Sequence, residues 1–288
     1  MAPEQIVRKE NALIMANQYL PDVLKRGGWR TYRDLEPLWF DTTVALLSLA
    51  MVCLLAGTLD ERLFNGVSVW AKPSKFAVSL ALYFVTLLIF VRYLPVGYLR
   101  AGGGRLVAVT LVFVALGEMI YITLQGVLGE ASHFNFTTPF HAIMYAMMGI
   151  GATWLVTGPL WFGWVIWQTN AKKDPMALAI FLGLGLTCVL GGGFGGYLGN
   201  QTAHWVNTAA TDANGIWVFN WSTDGGDLRV AHFFGMHAMQ AVPLFALLLP
   251  AHLSKNYGYA LVAAFSAVYV AFSLATFLQA IEGQPFIG

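Results

Sequence analysis

Imidazole carries a proton near neutral pH and is the commonest protein ligand for transition metals, so the six histidines are the first residues to place. Five of them, His133, His141, His204, His232 and His237, fall in or beside polar segments at one end of the long apolar runs, and only His252 falls at the other. A group gathered on one side has two chemical readings, ligation of a transition metal or haem and proton transfer. His232 and His237 are five apart, about 140° around a helix, so they miss the i, i+4 pair of a zinc helix and instead bracket one cavity from its two edges. Glu118 lies inside an apolar run, with Tyr121 and Gln125 within about 60° of it on a helical face. A carboxylate there serves as proton donor, proton acceptor or cation ligand, with Tyr121, Gln125 and Tyr145 as its catalytic companions. Lys72, Lys75 and Arg229 stand at the mouth of the same end and suit an anionic ligand. Asn135, Asp227 and Gln240 complete a substrate-binding set with them. Each group also has a plainer reading: histidines as interfacial hydrogen-bonders, lysines snorkelling to lipid phosphates, and Glu118 satisfied by Tyr121.

These residues need elements to hold them. Of 288 residues, 57% are hydrophobic and 11% charged, and the net charge is +1. The apolar residues fall in blocks, which excludes a nucleic-acid surface or a disordered acidic tail and places the chain in the membrane class. A hydrocarbon core of about 30 Å needs about 20 apolar residues of helix. Seven stretches qualify, at about 39–59, 76–94, 106–129, 141–167, 176–199, 230–251 and 258–280. The expected fold is therefore all-α, a polytopic integral membrane protein built as a seven-transmembrane-helix bundle. Residues 1–38 form a cytoplasmic N-terminal segment without the apolar core of a signal peptide, with 3–20 as a candidate amphipathic helix. Residues 39–288 form the membrane domain.

Alternating sides from the first span, the inner segments collect Arg8, Lys9, Lys25, Arg26, Arg30, Arg33, Arg92, Arg100, Arg105, Lys172, Lys173 and Lys255, which is 12 of the 16 basic residues. That bias places the N-terminus inside and the C-terminus outside, in the cell (inner) membrane. Trp154, Trp161, Trp164 and Trp167 run down the fourth span as an aromatic belt. Two connections, 130–140 and 200–229, are too polar to cross a bilayer and rich in aromatics, and are expected to fold into a structured outer cap. Gly191, Gly195 and Gly199 recur every four residues, a pattern for close helix packing within the chain or in a homo-oligomer. Interior stripes are expected from Lys75, Ser79, Tyr83 and Thr86 and from His141, Met144, Tyr145 and Met148.

Several classes are excluded. The last span holds no lysine for a retinal Schiff base, the inside N-terminus disfavours G-protein-coupled receptors, the HxxxH pair of seven-span zinc hydrolases is missed by one residue, and no GxSG serine motif occurs. Cys53 and Cys188 lie in apolar blocks and offer neither a disulfide framework nor a CxxC pair. The leading expectation is a membrane-embedded enzyme or redox protein with a metal or haem in the outer half, held by the five histidines, with Glu118 as proton donor or acceptor. The alternatives are a transporter of a small anionic or proton-coupled solute, and an accessory subunit whose aromatic cap docks a partner. A small molecule or a lipid reaching the site from the outer side is the expected substrate.

Overall fold

The apolar runs fold as helices, and the residues at their ends explain where most of them start. The computed structural model describes residues 28–170, 174–250 and 252–288. The candidate amphipathic segment 3–20 lies outside the described residues, as do Lys172 and Lys173. After a short α1 (Gly28–Leu35), α2 (Pro37–Leu59) opens with proline in its first turn, where the missing N–H costs nothing. Next come α3 (Ala71–Phe90), prolonged by a 3₁₀ turn to Tyr93, α4 (Gly102–Leu128) and α5 (Pro139–Asn170). Gly129 terminates α4 with a left-handed backbone at φ 71°. Asp174 caps α6 (Pro175–Leu186) by accepting from the Met176 amide. A π turn, Thr187–Gly191, leads into α7 (Gly192–Gly199). Asp227 caps α8 (Leu228–Met236), α9 (Ala238–Leu247) follows, and Ser254 caps α10 (Lys255–Ile281).

Six helices are long and apolar enough to cross a membrane: Pro37–Leu59, Ala71–Tyr93, Gly102–Leu128, Pro139–Asn170, Pro175–Gly199 and Lys255–Ile281. The pair α8 and α9 also qualifies if taken together, but it is bent by 48° at His237. The exterior is apolar: Leu47, Met51, Phe113, Ile120, Ile150 and Val268 are all exposed. Such a surface suits lipid rather than water, as in a helical membrane protein. α3 is the most enclosed span and α2 and α10 are the most exposed. At one end the helices close on Trp39, Phe84, Phe162 and Leu111, with the Trp39 indole donating to the Ala108 carbonyl at 3.1 Å. At the other end lie the connections 60–70, 129–138 and 200–227, referred to below as the loop-rich end.

Two features depart from an all-α expectation. A hairpin pairs β1 (Leu63–Phe64) with β2 (Val67–Ser68) across Asn65 and Gly66, whose φ values of 51° and 83° fit the Asn-Gly turn that a two-residue hairpin favours. A second pairing joins β3 (Trp205–Val206) to β4 (Gly226–Asp227). Helix starts also differ. α3 begins at Ala71 rather than near 76, so Lys72 and Lys75 sit on its first turns rather than in a loop.

The Pro175–Gly199 span and the α8–α9 pair are both irregular, and their irregular parts face each other. A Cβ on Gly235 would lie 2.7 Å from the Gly191 nitrogen, and one on Gly191 would meet Met236, so the two backbones touch. Gly195 lies under the His232 ring and Gly199 near the Tyr145 hydroxyl. The glycine face is thus covered by the chain's own side chains and backbone. Thr187, at the start of the π turn, accepts from the Met239 amide at 2.9 Å and donates to the Met236 carbonyl at 3.3 Å. One hydroxyl thereby serves both sides of the break at His237, where backbone groups lose their helical partners. Replacing Thr187 with valine keeps the shape and removes both bonds, at an expected cost of about 1–2 kcal/mol. Thermal unfolding of the detergent-solubilised protein should show a lower Tm for Thr187→Val than for a control, Thr153→Val, on an exposed helix position.

Candidate functional site

A guanidinium at the head of a helix faces the positive end of the helix dipole and needs acceptors nearby. Arg229 obtains them from three places. Asp227, buried at the start of α8, receives Arg229 Nε at 2.9 Å on Oδ1 and Nη2 at 2.6 Å on Oδ2. The same carboxylate takes the Ser222 amide at 3.0 Å. Asp212 Oδ1 lies 2.8 Å from Nη2, and the Asn220 carbonyl 2.6 Å from it. The small strands explain this convergence. The β3–β4 pairing sets Trp205 opposite Asp227, and the Leu228 amide donates to the His204 carbonyl at 3.0 Å. The Asn65 carbonyl in the first hairpin accepts the Asp212 amide at 2.8 Å.

His204 and Asp212 form the next layer, 3.4 Å apart, with the His204 ring against Trp205. Burial pushes the His204 imidazole below its ordinary value, against the pull of Asp212. Burial opposes charge on Asp212 as well, yet the hydrogen bond from His204 and the Arg229 guanidinium hold this carboxyl below the usual carboxylate range.

The lysines complete the cluster from α3. Lys75 Nζ donates to Asn220 Oδ1 at 2.5 Å and to the Phe219 carbonyl at 3.3 Å. Lys72 Nζ lies 3.1 Å from His133 Nδ1 and 5.7 Å from the centre of the Phe76 ring. It is also within electrostatic reach of Arg229, Asp212 and Lys75. Since an ammonium only donates, His133 Nδ1 is an acceptor and its proton sits on Nε2. Burial, followed by the Lys72 charge and His232, drives His133 well below the ordinary histidine value, so the ring is neutral. Three basic side chains therefore gather around two carboxylates, Asp212 and Asp227, both paired with Arg229, while Lys75 holds neutral oxygens and Lys72 is hydrogen-bonded to a neutral ring.

His232 and His237 flank the region. His232 Nδ1 donates to the Gly191 carbonyl at 3.0 Å, and His237 Nδ1 to Gln240 Oε1 at 3.2 Å, with Gln240 Nε2 passing on to Thr86 at 3.0 Å. Both rings thus leave Nε2 as a bare lone pair. His232 is within electrostatic reach of both His133 and His237. Tyr145 packs its ring on His133 and donates to the Gly199 carbonyl at 3.0 Å.

The remaining sequence candidates lie elsewhere. His141 bridges the Tyr121 hydroxyl at 3.2 Å and the exposed Glu130 at 3.4 Å, apart from the cations. Glu118 is wedged against Gly151 and Val114, and its Oε1 is buried without a hydrogen-bond partner. Gln125 is buried too, and its Oε1 is likewise unpartnered. Asn135 holds its own loop together: its amide donates to the Ala131 carbonyl, and its Oδ1 accepts from the Thr137 amide and hydroxyl. Ser79 is exposed rather than part of an interior stripe. Among the described residues, no three of His, Cys, Asp or Glu come together as a metal ion would need. Asp212 and Asn220 are the members that sequence reasoning missed. The one signal for Asp212 was the need for more than one carboxylate to balance Arg229.

Comparison with protein-family models, with curated proteins and with solved structures finds no match to this chain.

His133 and His204 both hold folded values lowered by burial, so protonation favours the unfolded chain. Their contribution to stability is complete above the unfolded histidine value of about 6.5 and is lost as pH falls toward the lowered folded values. Thermal unfolding should therefore show Tm falling between about pH 7.5 and pH 5, and His133→Gln should flatten that slope.

Proposed function

We propose that the chain crosses the membrane seven times, the bent pair α8–α9 serving as the sixth span, with its N-terminus cytoplasmic and its loop-rich end outward. The basic residues support this orientation, 12 of 16 falling on the inner side. On this reading the 129–138 and 200–227 segments are a cap, and the Arg229 cluster lies beneath it, at the outer mouth. The function we infer is transport of a small anionic solute, coupled to a proton.

The observation that carries this reading is the charge count at the mouth. Among the described residues, the nearby carboxylates Asp212 and Asp227 both pair with Arg229, while Lys75 holds two neutral oxygens and Lys72 has a neutral imidazole as its hydrogen-bond partner. A half-buried positive charge in excess attracts an anion and holds it against water. The broken helix supports movement rather than static binding, because discontinuous spans recur in many secondary transporters. Here the π turn of the fifth span and the break at His237 lie back to back. Glu118, the one carboxyl within the third span, supplies the proton-carrying group, on the same helix as Tyr121 and one span away from the cations.

Proteoliposomes containing the purified protein should take up radiolabelled inorganic phosphate or succinate. Lys72→Met should lower the uptake about tenfold or more, and Glu118→Gln should abolish its response to a proton gradient. Wild-type vesicles that take up neither anion would overturn the reading.

A second reading, a haem or metal redox protein, is favoured by one feature: His232 and His237 each anchor Nδ1–H and leave Nε2 free, the form in which imidazole ligates a metal. Metal analysis and an absorption spectrum of the same preparation decide between the two. Stoichiometric metal or a haem band lost in His232→Ala would replace the transport reading.

A further inference from the structure

Two of the three cations are already met by oxygens of the chain itself. Lys75 receives Asn220 Oδ1 and the Phe219 carbonyl, and Arg229 Nη2 receives the Asn220 carbonyl. Three oxygens on two consecutive residues thus bridge an ammonium and a guanidinium, which is the pattern made by a phosphate or carboxylate group. These oxygens carry no net charge, so the excess of positive charge is left standing.

The tip that presents them is held under backbone strain. Val218 has φ 73° and Asn220 φ 57°, both in the left-handed region, and for a β-branched residue that conformation is an outlier. Two backbone bonds close the turn, from the Ile216 amide to the Trp221 carbonyl at 2.8 Å and from the Asn220 amide to the Ile216 carbonyl at 2.7 Å. On the far side Trp217 is 89% exposed and Val218 half-exposed, so nothing among the described residues clamps the outer face of the tip. Its inner anchor is the stack of Phe219 on Trp221 and Phe233.

We propose that Asn220, with the Phe219 carbonyl, occupies an oxyanion subsite between Lys75 and Arg229 as an internal stand-in for the ligand. The substrate class of the anion site is therefore one bearing a phosphate or carboxylate group with at least two oxygens free to bridge those cations. Such a group displaces the tip because it brings negative charge to Lys75, which now holds neutral oxygens, and replaces the neutral Asn220 carbonyl beside the two carboxylates on Arg229, and charge-assisted bonds are roughly twice as strong. This inference rests on the anion-binding reading of the mouth and adds to it both a ligand class and an internal competitor.

The test exploits the left-handed backbone of Asn220, which glycine adopts freely. Asn220→Gly removes the side-chain oxygen without disturbing the turn, and Asn220→Asp turns the stand-in into a charged one. Equilibrium dialysis of labelled inorganic phosphate and of succinate against the full-length protein in detergent should show Asn220→Gly binding about three- to tenfold tighter than wild type and Asn220→Asp about tenfold weaker. The two probes separate a phosphate from a carboxylate preference. If Asn220 only positions Lys75 and Arg229, Asn220→Gly binds more weakly or equally, and the inference is overturned while anion binding stands. If neither anion binds wild type or either variant, the anion reading and this inference fall together. Hydrogen exchange of the wild type covers the case of a variant that does not fold. Saturating phosphate should speed exchange at the Ile216 and Asn220 amides as the tip leaves, and slower exchange would overturn displacement.

Discussion

Arginine keeps its charge in any protein environment, and placing one in the first turn of α8 obliges the rest of the loop-rich end to organise around it. The capping carboxylate of Asp227 offsets both the helix dipole and part of the guanidinium charge. That is not enough for five donors, so Asp212 and the Asn220 carbonyl are drawn in from the long 200–227 connection. The 200–227 connection is thus organised largely by polar contacts, with Trp221 as its buried apolar anchor. Lys75 is fixed by the same asparagine, and Lys72 follows one turn earlier against His133. Removing the guanidinium would leave two carboxylates facing each other, with the β3–β4 pairing and the packing of Trp221 on Phe233 left to hold the connection inward.

Below this cluster the backbone itself is the second constraint. A break in a helix within a membrane strands N–H and C=O groups that lipid cannot satisfy. The chain answers with a threonine on a neighbouring π turn and with glycines that let the two irregular stretches approach to contact distance. Irregularity in one span is therefore matched by irregularity in the next, and His232 and His237 take their ring orientations from carbonyl and amide groups that this pairing frees or brings near.

The helical runs were legible in the sequence because length and apolarity are local properties. The gathering of Lys72, Lys75, Arg229, His133, His204 and His232 at one end was legible as a side, through charge bias and connection polarity. Their partners were not. Asp212 and Asn220 reach the cluster through two-residue strands and a strained tip, which are tertiary consequences with only weak local signals. The bonds by which Asn135 folds its own turn with Thr137 are of the kind an Asn-x-Thr stretch readily makes, which its residue type alone did not single out. The Asn65-Gly66 pair is a standard hairpin signal, hidden here between two dominant apolar blocks. No residue marked the break at His237, since Pro243 lies further along the helix and the bend depends on Thr187 from another span. Glu118 was legible as a polar intruder, but its neighbour Gly151 could be known only from packing.

The Asn65 carbonyl holds the amide of Asp212, and Asn65 belongs to the short link between α2 and α3. The carboxylate that shares Arg229 is thereby geared to the first two helices rather than only to the loop that carries it. A rocking of α2 with α3 would tug directly on the charge balance above α8. The whole lever turns on one carbonyl, which takes the Thr211 hydroxyl as well as the Asp212 amide.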